Sequence, residues 1–151
     1  MKAKKIAWGY ISEFLAAALI YALLLLTLEQ EKILSAVSSD AINIATLFAA
    51  IMLTSALSFL WALYSKSDTP FSNWLHSKGA YLVYLSSFIY SSAIFAALIP
   101  LLIAANKIKH PTLLHTATWL TIYGAIVSIT FIKNVYLNIK LNMDFNRLKN
   151  Q

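Results

Sequence analysis

Four stretches of this chain are long enough and apolar enough to leave one kind of structure open to it. A helix rises 1.5 Å per residue, so about 20 apolar residues cover the roughly 30 Å of hydrocarbon in a bilayer. Runs at about 6–28, 41–64, 80–105 and 113–132 meet that length. The chain is 60% apolar and 12% charged, with a mean hydropathy of +0.68; a soluble domain carries roughly 25% charged residues. So few charges cannot cover a water-facing surface. The expected fold class is an all-α integral membrane protein: four transmembrane helices in a compact bundle over 1–132, then a tail over 133–151.

The separators read as loops for local reasons. EQEKILSAVSSD (29–40) is polar with a short apolar centre, and 65–79 holds Pro70, Gly79 and several serines. His110-Pro111 breaks one helix and can open the next. Pro100, near the end of the third run, is expected to kink that helix without stopping it. Lys2, Lys4, Lys5, Lys66, Lys78, Lys133, Lys140, Arg147 and Lys149 fall on one side of this layout, and Lys32, Lys107 and Lys109 on the other. That bias puts both termini in the cytoplasm, by the positive-inside rule. It also accounts for the net charge of +6 without nucleic acid as a partner. The lipid bilayer is the first partner.

Several chemistries are closed off. There is no cysteine, and the three glycines stand apart, so neither thiolate chemistry nor a phosphate-cradling loop can be built. His110 and His115 lie about 140° apart around a helix with Pro111 between them, and His76 belongs to the opposite side. No metal or haem pair results, and no cofactor is expected. The acids are scattered: Asp68 and Asp144 inside, Glu29, Glu31 and Asp40 outside. No catalytic set assembles from them, which argues against an enzyme.

The exception within a span is Glu13, in GYISEFLAAALIYALLLL. A charge at the bilayer centre costs roughly 2.5–3.5 kcal/mol on insertion scales and marks a functional site by default. A structural reading competes. Trp8 and Tyr10 resemble an interfacial aromatic belt, which would leave Glu13 only about 3 Å inside the boundary, with Lys133 in the same leaflet as a pairing partner. The alternative is a role in gating, ion passage or partner recognition.

The first and third runs echo each other. With 10–28 set above 84–102, Tyr10, Ser12, Phe14, Ile20 and Ala22 meet Tyr84, Ser86, Phe88, Ile94 and Ala96, and Glu13 falls opposite Ser87. This raises the possibility of two duplicated helical hairpins about a pseudo-twofold axis; chance likeness in a small alphabet is the competing reading. Small residues recur along every span: Ala18 and Ala22; Ala50, Thr54 and Ser58; Ser87, Ser91 and Ser92; Thr121, Gly124 and Ser128. In lipid such stripes serve close helix packing. They exceed the needs of one monomer, so a homo-oligomer is expected; the same hydroxyls could instead line a path.

The tail LNIKLNMDFN (137–146) alternates apolar and polar residues, a strand signature that could pair with a neighbouring subunit or a cytosolic partner. Read as a helix continuing the fourth span, it puts Leu137, Leu141 and Phe145 on one face while Ile139 and Met143 point away. No Gly or Pro intervenes, which favours the helix.

In outline, a small four-span protein without enzyme motifs resembles immunity proteins against pore-forming toxins and phage-exclusion membrane proteins; no motif is shared, so no residue roles follow. The function expected is a non-enzymatic protein of a bacterial inner membrane, acting by protein–protein interaction in defence or immunity. The alternative is an oligomeric channel or permeability effector with a Ser/Thr-lined path.

Overall fold

A computed structural model describes residues 2–149, with side chains described from Trp8 to Leu148. All regular structure among them is helical. Four rods are long and apolar enough to cross a membrane: Trp8–Thr27, Gln30–Ser65, Tyr81–Ile108 and Pro111–Leu148. Each contains most of one run picked out in the sequence, and the molecule is compatible with a multi-pass membrane protein.

The first helix, α1 (Lys2–Thr27), ends where Glu29 turns extended, and α2 (Gln30–Leu47) begins at once. The segment 29–40 is therefore not a loop. Its polar residues hide a helical stripe in which Ile33, Leu34 and Ala41 are buried and Val37 is half-buried, while Glu31, Ser35 and Ser39 face out. A π-helical segment, Phe48–Leu53, joins α2 to α3 (Thr54–Ser65). The wider turn shifts the hydrogen-bond register, and the Thr54 hydroxyl donates to the Ala49 carbonyl at 3.1 Å, five residues back.

The second linker also folds. Thr69 caps α4 (Pro70–Ser77) by accepting from the Ser72 N–H at 3.3 Å, and Pro70 takes the first helical position. Gly79, at φ 63°, closes α4: its N–H donates to His76 and that of Ala80 to Leu75. This is a Schellman ending, which needs the left-handed residue glycine supplies without strain. The next helix, α5 (Tyr81–Ile108), carries Pro100 without interruption. Lys109 turns left-handed at its end, and Pro111 opens α6 (Pro111–Lys149), 39 residues long. The tail is helix as far as Lys149, the last described residue; the strand reading of 137–146 does not hold. With no Gly or Pro after Gly124, each backbone N–H simply continues the ladder of the fourth rod.

α5 lies at the centre, against α6, α2, the π segment and α3, whereas α1 packs mainly on α6 and barely meets α2. A twofold exchange of hairpins would require α1 to pack on α2 as α5 packs on α6. The packing does not carry that symmetry. Phe88, Phe95, Leu98, Leu102 and Val127 fill the interior. Around it, Leu19, Leu26, Trp61 and Ile129 stand 63–82% exposed, an apolar outer surface suited to lipid.

Candidate functional site

Glu13 is half-buried on the face of α1 that carries Tyr10, Ala17 and Tyr21. Its neighbour Phe14 packs edge-on against Trp119 and Tyr123 of α6, at 4.9 and 6.1 Å between ring centroids. Tyr21 meets His115, so α1 and α6 run antiparallel and Glu13 stands level with Tyr123. Tyr123 lies midway along the fourth apolar run, ten residues after Leu113 and nine before Ile132.

Along α1 Glu13 lies five residues into the Trp8–Thr27 rod, while against α6 it stands level with the middle of the fourth apolar run. Tyr10 packs at a tilt against Tyr90, centroids 4.1 Å apart, about 13 Å along α5 from Tyr81. The Lys133 partnership does not form. Lys133 is exposed, about 15 Å beyond Tyr123 toward the C-terminus, and the ion pair found among the described residues joins Lys32 to Glu29 at 3.2 Å.

Around Glu13 the structure assembles a group that no single stretch of sequence displays. The carboxylate lies within electrostatic reach of Tyr10 and Tyr123. The Tyr90 and Tyr123 hydroxyls hydrogen-bond to each other, and Tyr10 reaches Ser86 and Ser87. Ser87 Oγ accepts from Asn134 Nδ2 at 2.7 Å. The tyrosines thus join α1, α5 and α6 around Glu13, and the Ser87–Asn134 bond ties α5 to α6 farther toward the C-terminal end of α6.

The other hydroxyls picked out by pattern serve their own helices. Ser91 donates to the Ser87 carbonyl at 3.0 Å, Ser128 to Gly124 at 2.8 Å and Thr121 to Ala117 at 2.7 Å. Gly124 is a close-approach site. A Cβ there would overlap Leu98 and press the Phe48 ring at 3.1 Å. Ala50, Thr54 and Ser58, by contrast, face outward from the second rod.

At the end of the molecule holding the C-terminal part of α6, the tail and α4 form a small platform. Phe145 packs on Phe71 and Trp74, each at 5.7 Å, and Leu141 is half-buried near Ser87 and Asn134. Leu137 is 38% exposed, Ile139 48% and Met143 54%. The tail residues proposed from the sequence therefore divide. Leu141 and Phe145 brace the helix, while Ile139 and Met143 are left uncovered. At the opposite end His115 bridges three helices, sharing hydrogen bonds with the Tyr21 hydroxyl and with Gln30 Nε2, the latter at 2.8 Å.

The asparagines were within reach of the sequence. Asn134, Asn138, Asn142 and Asn146 recur every fourth residue, one helical face of amides, and the structure turns that face toward α5 and α4. The tyrosine contacts were not, since they depend on the vertical register between α1, α5 and α6. No family model, curated protein or solved structure matches the chain.

Proposed function

We propose that this chain is a multi-pass protein of a bacterial inner membrane, with both termini cytosolic, that acts by binding another protein and catalyses nothing. The observation that carries this reading is the tail. α6 leaves the apolar layer as one helix braced by α4, and it keeps Ile139 and Met143 exposed beyond the span. An i, i+4 apolar pair on a rigid helix is what a partner's groove reads. Toxin immunity or phage exclusion is the setting we assign, on likeness of architecture alone. The outward Ala50, Thr54 and Ser58 are the surface we assign to self-association.

One observation favours the second reading, a permeability effector: the half-buried Glu13, level with the middle of the fourth apolar run and without an ion pair among the described residues. Against a path through a single chain stand the self-bonded hydroxyls and the phenylalanines of the interior. A path would have to run between copies.

Two measurements on the same protein separate the readings. Purified protein in liposomes is expected to pass no ions, and cells expressing it are expected to survive challenge by phage or pore-forming toxins. The double substitution Ile139→Asp, Met143→Asp should abolish survival while Glu13→Gln preserves it. Ion flux that disappears in Glu13→Gln would instead establish the permeability reading.

A further inference from the structure

Between α3, α4 and the extended α6 lies a cavity of about 490 Å³, inside the roughly 300–1,000 Å³ range of small-ligand pockets. Its wall is mainly apolar, with Phe59 and Leu63 of α3, Phe71 and Leu75 of α4, and Phe88 of α5 reaching in from the core. Lys66, Thr69, Ser72, Asn138, Asn142 and Asn146 interrupt that wall, and two of them carry buried atoms without a partner. Ser72 is 4% exposed, yet its Oγ has no hydrogen-bond partner among the described residues, and neither does the buried Nδ2 of Asn138. Both residues line the cavity, and so does Lys66.

These orphans are out of keeping with the rest of the molecule. Ser91, Ser92, Thr118, Thr121 and Ser128 all return their hydroxyls to the carbonyl four residues back. Ser72 cannot, because it sits in the first turn of α4, where no helical carbonyl lies behind it. Asn138 differs likewise from Asn134 and Asn146, which donate to Ser87 and Asn142. Buried polar groups are as a rule partnered.

The Asn138 amide N–H and the Lys66 ammonium are donors, one of them cationic, and the Ser72 hydroxyl can donate as well as accept. They call for an anionic oxygen acceptor, while the aromatic remainder of the cavity calls for hydrocarbon.

We propose that this cavity binds a single acyl chain with an anionic oxygen head group, the head held by Asn138, Ser72 and Lys66 and the chain lying among Phe59, Phe71 and Phe88. A fatty acid carboxylate and a lysophospholipid phosphate share that chemistry. The proposal goes beyond the partner reading and does not depend on it, although Ile139 and Met143 line the same cavity.

The test is native mass spectrometry of the full chain released from maltoside micelles and titrated with oleate, oleoyl lysophosphatidic acid or the neutral glyceride monoolein. Adducts should saturate at one per chain with one or both anionic probes, and whichever binds identifies the source of the head group. Asn138→Leu with Lys66→Gln should weaken the apparent affinity at least tenfold. Ser72→Ala should weaken it severalfold. Neither Asn138→Leu nor Ser72→Ala should lower the melting temperature, since each replaces an unpartnered polar group with an apolar one. Filling the cavity by Ala62→Phe should also remove the adduct, as a check that does not touch the head-group donors. Unsaturable adducts, equal binding of monoolein, or affinity unchanged by all of these substitutions would overturn the proposal.

Discussion

In α1, 6% of the apolar stretch is buried inside the molecule; in α5 the share is 39%. The two helices point the same way and align residue for residue over much of their length, yet one is a flank and the other an axle. The difference lies in what each offers a neighbour. α5 presents Ser87, Ser91 and Ser92 with Phe88, Phe95 and Leu98, all buried, so that small hydroxyl residues and large rings interdigitate with α6 and α3. α1 presents spaced aromatic rungs, Tyr10, Phe14 and Tyr21, each meeting one or two rings, with Ala17 buried between them. Likeness in residue types does not carry likeness in burial. Where the small residues sit relative to the large ones decides it.

This contrast can be broken most sharply at Phe95. It is fully buried, and Phe95→Ala should destabilise the folded state by about 3–5 kcal/mol. Leu19→Ala on α1, at a position 63% exposed, should stay within about 0.5 kcal/mol. Thermal melts in detergent would compare them, and equal losses would erase the distinction between flank and axle.

Next comes the glycine pair. Gly124→Leu must push Leu98 and Phe48 aside and should cost about 1–3 kcal/mol by overpacking. Gly9 has open space around a new Cβ, so Gly9→Ala on α1 should be neutral, or stabilising by up to about 1 kcal/mol through helix propensity.

The smallest effect sharpens the account of how α1 is held. Tyr123→Phe removes the hydroxyl partner of Tyr90 and should cost about 1 kcal/mol, with Tyr90→Phe adding little in the same background. A double-mutant cycle showing independent losses would mean that the two hydroxyls do not work together.

How much of this was legible follows the range of the physics. The four rods, the break at His110-Pro111 and the use of Gly124 as a packing residue depend on neighbours a few positions away, and the chain displays them. α4 was legible in principle: Thr69-Pro70 is a helix start and Lys78-Gly79 a helix end, but a short amphipathic helix is masked by the serines of its linker. The stripe of Ile33, Leu34, Val37 and Ala41 was hidden likewise, because polarity was read where periodicity mattered. The level of Glu13 against α6 is a different case. It follows from how far α1 slides along α6, set by Phe14 on Trp119 and Tyr21 on His115, and no local pattern encodes that register. The division of the tail into bracing and uncovered residues waited on α4 for the same reason.

The uninterrupted course of α6 carries a mechanical consequence. Beyond Gly124, as far as Lys149, the rod has no glycine or proline at which to bend, so a tilt would move it as a whole. Phe131, wedged among Phe59, Phe88 and Phe95, is the natural fulcrum. Met143 lies about 18 Å to one side of it and Tyr123 about 12 Å to the other. A sideways push on the tail therefore arrives at Tyr123 reversed in direction and about two-thirds as large, beside the one carboxylate held at that depth. Whatever grips the outer arm of this lever also has a hand on the inner one.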